Sequence, residues 1–289
     1  MSTEQNKLIR KAGSKQHMKI NRYKQVEYLT FPLLDETGLV RHLFSTRIGG
    51  VSKGIFSSMN LSYSRGDIKE SVDENFRRMA EVFEAGPERF VCSKQTHTVN
   101  VRRVTETDTG KGVVRPTDYE DVDGLITDVP GVILSTSYAD CVPLYFVDKE
   151  NKAIGLSHSG WRGTVARMGS ATLAAMAEAF GTIPANVVAA IGPSICRDCY
   201  EVSEDVAVEF QKNFPDSYTD FLKPGKQEGK YQLDLWAANK RVLLDAGILP
   251  ENIAVTDLCT CCNSEYLYSH RATNGQRGAL SAMMELRKS

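Results

Sequence analysis

The sequence predicts an α/β fold, and three observations support this prediction. Short apolar runs typical of buried strands alternate along the chain with amphipathic stretches at helical spacing. Several runs end in loops that carry Gly, His or Cys, which is where α/β sheets place functional side chains. The chain has 289 residues, of which 42% are hydrophobic and 25% charged, so it can bury a sizeable core.

Eight apolar runs are predicted to be strands. They cover residues 39–45, 90–92, 99–104, 132–136, 142–147, 153–157, 187–191 and 253–255. The final apolar segment, 279–284, is ambiguous between strand and helix. Periodicity alone does not predict the order of these strands in a sheet.

Four helices are predicted from apolar residues at helical spacing. The capping box Ser71-x-x-Glu74 marks the start of the first helix, whose apolar face extends to Phe83. The second helix begins at about Thr164, and Thr172 interrupts its apolar stripe. The remaining two helices cover residues 203–213 and 235–246.

The charge and the termini argue against several classes of protein. Lys and Arg number 35 against 36 Asp and Glu, so nothing supports binding to nucleic acid or to an anionic membrane. No apolar run approaches the ~20 residues that span a bilayer. Residues 1–24 are basic and lack an apolar signal core, so we expect a flexible extension there. Seven Cys without a signal peptide favour reduced thiols and a cytoplasmic location.

Three residues are candidate metal ligands. His97, Cys141 and His158 each lie in a loop or at a predicted strand end, and imidazole and thiolate are good zinc ligands. Their separations of 44 and 17 residues match no compact metal motif, so spacing alone favours packed structural residues. Asp140, directly before Cys141, is a candidate proton shuttle, or else a turn residue.

Two loops are candidate anion sites. The loop 158–164 places two glycines, Trp161 and Arg162 before a helix, where free N–H groups and the dipole favour phosphate. The alternative there is a plain turn with a surface Arg. The second loop combines Arg47 with Gly49 and other glycines that let the backbone approach a ligand, although it lacks the P-loop pattern.

The remaining cysteines cluster in two places. Cys196-x-x-Cys199 has the spacing of a zinc or redox motif, whereas Cys259-x-Cys261-Cys262 has an unusual spacing. Together they could form a structural zinc site or a redox pair. The alternative is a set of free thiols, buried or partly exposed.

Nine short motifs occur in a single order along the chain. They are Phe44-Ser-Thr-Arg47-x-Gly-Gly-Val-Ser52-x-Gly54, Ser58-x-Asn60-Leu61, Gln95-x-His97, Asp123-Gly124, Ala139-Asp140-Cys141-Val142-Pro143, His158-Ser-Gly-Trp-Arg-Gly163, Ile191-Gly-Pro-Ser-Ile195, Cys199-Tyr-Glu-Val202 and Cys259-Thr260. In these motifs the sequence resembles the laccase-domain family of YfiH type, also called the multicopper polyphenol oxidase family. The resemblance implies a single layered α-β-β-α domain with mixed sheets over residues 25–289.

The resemblance also implies a site. A metal, usually taken as zinc, would be held by His97, Cys141 and His158, which with Asp140 form the expected catalytic set. Copper is the alternative metal, because such a site would bind copper more tightly than zinc. The expected substrate-binding residues are Arg47, Gly49, Asn60, Gln95, Trp161 and Arg162. Of these, Arg47 and Arg162 are candidates for binding phosphate, and Trp161 could stack on a purine or belong to the core.

The activities that the resemblance implies differ in kind. One is phosphorolysis of adenosine, inosine and methylthioadenosine, with deamination of adenosine. Others are phenol oxidation with copper, editing of peptidoglycan precursors, and a hydrolase in which Cys141 is the nucleophile and His158 or His97 its base. A binding or scaffold module with a vestigial site is the non-enzymatic alternative.

Physical chemistry ranks these activities. A multicopper oxidase needs many His for its copper cluster, several in His-x-His pairs, and this chain has five His and no such pair. Deamination fits better, because zinc deaminases combine His/Cys ligands with a carboxylic acid, although their H-x-E…P-C-x-x-C signature is absent. We therefore expect a zinc-dependent purine nucleoside phosphorylase with adenosine deaminase activity, acting on small nucleosides and phosphate as a monomer or homodimer.

Overall fold

The computed structural model describes residues 8–11 and 17–288. The strands are β1 Lys19–Tyr23, β2 Val26–Thr30, β3 Val40–Ser45, β4 Phe90–Cys92, β5 Val101–Arg103, β6 Gly124–Thr127, β7 Ile133–Tyr138, β8 Val142–Asp148, β9 Ala153–Ser159, β10 Val187–Ile191, β11 Glu201–Ser203, β12 Leu222–Pro224, β13 Lys230–Leu233, β14 Ile253–Val255 and β15 Leu280–Leu286. The α-helices are α1 Pro32–Asp35, α2 Lys69–Val82, α3 Trp161–Val165, α4 Met168–Phe180, α5 Glu204–Asn213, α6 Tyr218–Phe221 and α7 Leu235–Asp245. Within these ranges no helix has the length and apolar character needed to cross a membrane.

Two six-stranded mixed sheets form the centre of the fold. One has the order β1-β2-β3-β15-β7-β4 and the other β14-β10-β8-β9-β6-β5, and a small third sheet has the order β11-β13-β12. In β8, Tyr145 and Val147 belong to the core between the two large sheets. Leu144 and Phe146 face the opposite way, into the core beneath α4, α5 and α7. The alternation shows why this strand is apolar throughout: both of its faces are buried.

The outer face of the other sheet is covered by α2. Val72, Phe76 and Met79 of this helix pack against Phe90 and Met283 of the sheet. Together with the helices on the opposite side, this gives four layers in the order α-β-β-α. The predicted fold class is therefore confirmed.

The predicted capping box at Ser71 is wrong. Helix α2 begins earlier, at Lys69, and its N-cap residue Ile68 makes no side-chain cap. Just before it, the carboxylate of Asp67 accepts hydrogen bonds from the side chains of Ser52 and Asn60. These contacts between segments distant from one another, rather than a local capping pattern, hold the chain where it enters the helix.

The predicted helix from Thr164 is two helices. α3 ends at Val165 and α4 starts at Met168, because Arg167 between them has a left-handed conformation with φ of +60°. Thr172, the polar interruption in the apolar stripe, is fully buried and satisfied. Its hydroxyl makes hydrogen bonds with the Ser157 hydroxyl at 2.6 Å and the Met168 carbonyl at 2.9 Å.

The ends of the chain contribute to the sheets. All but the first residue of the ambiguous segment 279–284 lies in β15, a buried strand between β3 and β7 at the centre of its sheet. Strand β1 falls inside the stretch 1–24 that was expected to be a flexible extension, and it pairs along its whole length with β2. Residues 1–7 and 12–16 of that stretch lie outside the described part of the chain.

Candidate metal centre

The three predicted metal ligands come together at one end of the second sheet. Cys141 lies in the turn that leads into β8, and His158 lies in β9, which pairs antiparallel with β8. His97 comes from the loop between β4 and β5. The ligand atoms of the three residues all lie within 4.8 Å of one another. The Cys141 Sγ is 4.0 Å from the His97 Nε2, and the two imidazole centroids are 4.9 Å apart.

A fully buried carboxylate, Asp123, positions both histidines. Its Oδ1 lies 2.8 Å from the His158 Nδ1, and its oxygens accept the backbone N–H groups of Thr96, His97 and Thr98. With the His158 Nδ1–H donating to Asp123, the Nε2 is left free as a metal ligand. The sequence analysis assigned Asp123 no role, because its function depends on residues about 26 and 35 positions away.

Electrostatic coupling changes the acidity of the centre. Burial acts to raise the pKa of the Cys141 thiol, but the positive charge of His158 and hydrogen bonds from both histidines outweigh it and lower the pKa to about 6. Burial acts to lower the pKa of His158, but Cys141 and Asp123 outweigh it and raise the pKa to about 9. The thiolate, which is the form that binds a metal, is therefore favoured near neutral pH.

The three ligands open into a cavity of about 530 Å³. This volume falls in the range typical of sites for small organic ligands, roughly 300–1,000 Å³. Besides the three ligands, Gln95, Arg65 and Arg277 are among the residues that line it. The side-chain amide of Gln95 donates to the Ser137 carbonyl at 2.9 Å and accepts the Ser137 N–H at 2.7 Å. These two bonds join the His97 loop to the end of β7.

Arg277 is a cation that the sequence analysis missed. Only 7% of it is exposed, its Nε has no hydrogen-bond partner among the described residues, and its Nη1 donates to the carbonyl of Gly278. Burial, followed by the charge of Arg65, lowers its pKa to about 10. A buried guanidinium without a carboxylate partner is costly unless an anion binds it, so this part of the cavity favours an anionic ligand.

The two arginines predicted to bind phosphate lie outside the lining of this cavity. The Arg47 guanidinium donates to the carbonyls of Ser57 and Ser264, at 2.9 and 2.7 Å, and stacks on the Tyr268 ring. The Arg162 guanidinium lies 4.3 Å from the ring centroid of its neighbour Trp161, which itself packs against the helical core. Neither arginine nor Trp161 is among the described residues that line the cavity.

Two predicted substrate-binding residues have structural contacts. A Cβ added to Gly49, which has a φ of +93°, would lie 2.1 Å from the carbonyl oxygen of Gln25, so this glycine allows two backbone segments to approach. The Asn60 amide is fully buried, donates to the Ser62 carbonyl and accepts the N–H of Ala279. Asn60 thereby ties the loop that carries Arg65 to the start of β15.

Asp140 is also engaged by neighbouring residues. Its Oδ1 accepts the Thr260 hydroxyl at 2.7 Å, and its Oδ2 accepts the backbone N–H of Arg271 at 2.7 Å. A carboxylate with both oxygens already bonded to the protein has little freedom to carry a proton. These contacts favour a positioning role beside Cys141 over the predicted proton shuttle.

Comparisons with known proteins identify the family of the chain. Residues 41–287 match the model of the family described as multi-copper polyphenol oxidoreductase laccase. The chain is 36% identical over 247 residues to a protein of Geobacillus stearothermophilus named purine nucleoside phosphorylase YlmD, covering 84% of this chain and 89% of that protein. It is 33% identical over 231 residues to adenosine deaminase RL5, from an unknown prokaryotic organism, covering 79% and 87% of the two chains.

A solved structure supports the same relationship. The crystal structure of the hypothetical protein YfiH from Bacillus licheniformis superposes with a TM-score of 0.87 at 30% sequence identity. The match covers 93% of this chain and 99% of the other. The curated relatives are named as enzymes. By its sequence and its fold, the chain belongs to the multi-copper polyphenol oxidoreductase laccase family.

Proposed function

We propose that this protein is a zinc-dependent purine nucleoside phosphorylase that also deaminates adenosine. One observation carries the proposal: His97, Cys141 and His158 lie within 4.8 Å of one another at a cavity that is also lined by Arg277, a buried arginine whose Nε has no hydrogen-bond partner among the described residues. Phosphorolysis needs such a combination of an anion site beside a polar reaction centre. The names of the relatives from Geobacillus stearothermophilus and of RL5 support the two activities.

The donor set fits a catalytic zinc site. Two imidazoles and one thiolate leave a fourth tetrahedral position open, as in zinc enzymes whose fourth ligand is water or substrate. A zinc ion here would lower the pKa of a bound water or polarise the substrate. Copper would also bind these donors, but the five His of the chain are too few for a multicopper cluster.

In phosphorolysis, the residues of the cavity hold the nucleophile. A phosphate oxygen forms a bond to C1′ of the ribose while the bond from C1′ to the purine nitrogen breaks, and the released base takes up a proton. Arg277, with Arg65 nearby, would bind the phosphate through charge-assisted hydrogen bonds. Gln95 and Asp123 would keep the loop of His97 in place while the reaction proceeds.

A cysteine hydrolase is the second candidate, and the geometry gives it one specific support. The neighbouring charge of His158 lowers the pKa of Cys141 to about 6, which is the environment of a nucleophilic thiolate. A metal bound to Cys141 would remove this nucleophile. The two proposals therefore make opposite predictions about metal content and about alkylation of Cys141.

The test combines metal analysis with an assay on protein purified without added metal. Adenosine is incubated with and without phosphate, and the products are separated by chromatography. We expect zinc bound at Cys141, phosphate-dependent release of adenine, and phosphate-independent formation of inosine. Cys141→Ala should lose this zinc and both activities. Base release by a zinc-free enzyme would exclude the metal mechanism, and rapid alkylation of a metal-free Cys141 would favour the hydrolase.

Two further expectations remain predictions. The odd number of cysteines favours a reducing, cytoplasmic environment. A monomer and a homodimer are both compatible with the site, because the three metal ligands and the cavity arginines come from one chain.

A further inference from the structure

Four other cysteines meet at the ends of two adjacent strands. β10 and β14 pair in parallel, so the loops that follow them leave the same edge of the sheet. The first loop carries Cys196-x-x-Cys199 and the second carries Cys259-x-x-Cys262. The two loops are joined by a hydrogen bond from the Thr260 N–H to the Ser194 carbonyl at 3.1 Å.

The sulfur atoms are spaced as in a tetrahedral metal site. All four Sγ atoms lie within 4.8 Å of one another, with Cys196 to Cys262 at 4.0 Å and Cys199 to Cys262 at 3.5 Å. Zinc–sulfur bonds of about 2.3 Å in a tetrahedron place the sulfurs about 3.8 Å apart. A disulfide would require about 2.05 Å. The separations therefore match a shared metal ion better than a sulfur–sulfur bond.

Hydrogen-bond donors and one cation lie around the sulfur atoms. The backbone N–H groups of Cys196 and Cys262 point to the Sγ of Cys259, at 3.2 and 3.4 Å. The ammonium group of Lys11 bonds the carboxylate of Asp198, which lies within the first motif, at 3.0 Å. A zinc ion with four thiolates carries a net charge of −2, and these N–H groups and the lysine would partly offset it.

We propose that these four cysteines bind a structural zinc ion, separate from the centre at Cys141. Paired Cys-x-x-Cys motifs from two loops form a closed tetrathiolate site, which stabilises a fold but leaves no position for substrate. Cys196 and Cys259 are 4% and 0% exposed, so the ion would be largely screened from solvent. The proposal does not depend on the proposed function.

The second site would also position the first. Thr260, inside the second motif, donates its hydroxyl to Asp140, the residue before Cys141. Arg271 donates its backbone N–H to Asp140 and its guanidinium to the carbonyl of Cys199, at 3.2 Å. A zinc ion that holds both cysteine loops would therefore hold the turn that presents Cys141 to the catalytic centre.

The experiment is zinc analysis by mass spectrometry on the full chain purified without added metal. We expect Cys262→Ser to hold about one zinc per chain fewer than the unchanged protein, whatever metal the Cys141 centre holds. Cys261→Ser is the matched control, because Cys261 lies in the same run but outside the group of four, and it should keep the zinc content of the unchanged protein. The melting temperature should fall in Cys262→Ser and change little in Cys261→Ser.

If Cys262→Ser does not fold, the test uses the variant Cys141→Ala instead, loaded with cobalt in place of zinc. The proposal then expects one tightly bound cobalt with the intense absorption of a tetrathiolate site. A zinc content that Cys262→Ser leaves unchanged would overturn the proposal, as would iron in place of zinc. Disulfides among these cysteines would also overturn it, and they would show as a mass of the unreduced protein that is lower by two hydrogens for each disulfide. If metal is lost only in Cys141→Ala and not in Cys262→Ser, the result supports the metal centre of the proposed function and gives no support to this second site.

Discussion

At the scale of single residues, one buried carboxylate connects both histidines of the metal centre. Asp123 bonds the His158 imidazole and three backbone N–H groups around His97, so it determines which nitrogen of His158 faces the cavity. Burial acts to raise the pKa of Asp123, but the hydrogen bond from His158 and those from the backbone outweigh it and lower the pKa. The carboxylate therefore stays ionised beside the metal ligands.

The first prediction concerns this carboxylate. Asp123→Asn should weaken zinc binding by about 10–100-fold, because the amide cannot orient and polarise His158 in the same way. Competition with a chromogenic chelator measures the zinc affinity. Asp121→Asn is the matched control: Asp121 accepts the hydroxyl of Thr96 in the same loop but does not bond either histidine. Equal zinc affinities for the two variants would contradict the role given to Asp123.

The second prediction distinguishes the cavity arginine from the arginine favoured by the sequence. Arg277→Ala should raise the KM for phosphate roughly tenfold or more, the equivalent of one charge-assisted hydrogen bond, with a smaller change in the KM for nucleoside. Arg162→Ala tests the rival assignment. Phosphate kinetics at saturating nucleoside measure both variants. A selective rise in Arg162→Ala and none in Arg277→Ala would restore the sequence-based assignment.

At the scale of elements, β3 carries a buried histidine whose Nδ1 is not hydrogen-bonded to any carboxylate of the described residues. His42 accepts the backbone N–H of Phe31 through its Nε2 at 2.8 Å, while its Nδ1 has no hydrogen-bond partner in the part of the chain that the structure describes. The nearest carboxylate oxygen, on Asp35, is 3.7 Å away, beyond hydrogen-bond distance. Burial, followed by the charge of Arg287, lowers the pKa of His42 to about 3.

The third prediction is the pH dependence that follows. Because the pKa of His42 is lower in the folded state than the ordinary value of 6.5, its contribution to stability is complete above pH 6.5. This contribution is lost progressively as the pH falls toward 3, and at pH 5 the free energy of unfolding is lower by about 2 kcal/mol. Urea unfolding at several pH values measures this. His42→Gln should be less stable at pH 7 but show a flatter decline between pH 6.5 and 4. Parallel declines would assign the acid sensitivity to other groups.

At the scale of the whole molecule, the start of the described chain packs against its C-terminal part. The fully buried Asp257 carboxylate is bonded by Arg10 and by the His17 imidazole, and the Lys11 N–H donates to its carbonyl at 2.8 Å. The backbone N–H of Ile9 donates to the side-chain oxygen of Asn263, and the side-chain amide of Asn263 donates to the Ile9 carbonyl. The segment 8–11 thus covers the region next to the second pair of cysteines.

The fourth prediction is that this segment stabilises the fold. Removal of residues 1–17 would leave the Asp257 carboxylate buried without its ion pair to Arg10, so the free energy of unfolding should fall by about 3 kcal/mol, the lower end of the cost of breaking a buried pair, because Arg10 is partly exposed. Chemical denaturation measures the change. Asp257→Asn in the shortened chain should recover part of the loss, because it removes the buried charge. Removal of residues 1–7 alone, which leaves Arg10 in place, is the control and should have little effect.

Local patterns in the sequence determined much of the architecture. Buried strands such as β8 and β10 are recognisable because apolar residues occupy both faces. The candidate metal ligands and the layered fold followed from motifs in a fixed order, through the family resemblance. The second pair of cysteines also has the right spacing, but the intervening Cys261 obscured the Cys259-x-x-Cys262 pattern.

Only the tertiary structure decided which side chains share the site. Arg277 reaches the cavity of His97 from 180 positions away along the chain, and no local pattern marks a buried arginine without a partner. Arg47 and Arg162 stand beside glycines and look like anion ligands, but backbone carbonyls bind Arg47, and the structure places neither guanidinium in the lining of the cavity. Sequence patterns show which residues are neighbours along the chain and which share a periodic face. The groups that a guanidinium contacts depend on segments distant in sequence, which come together only in the folded chain.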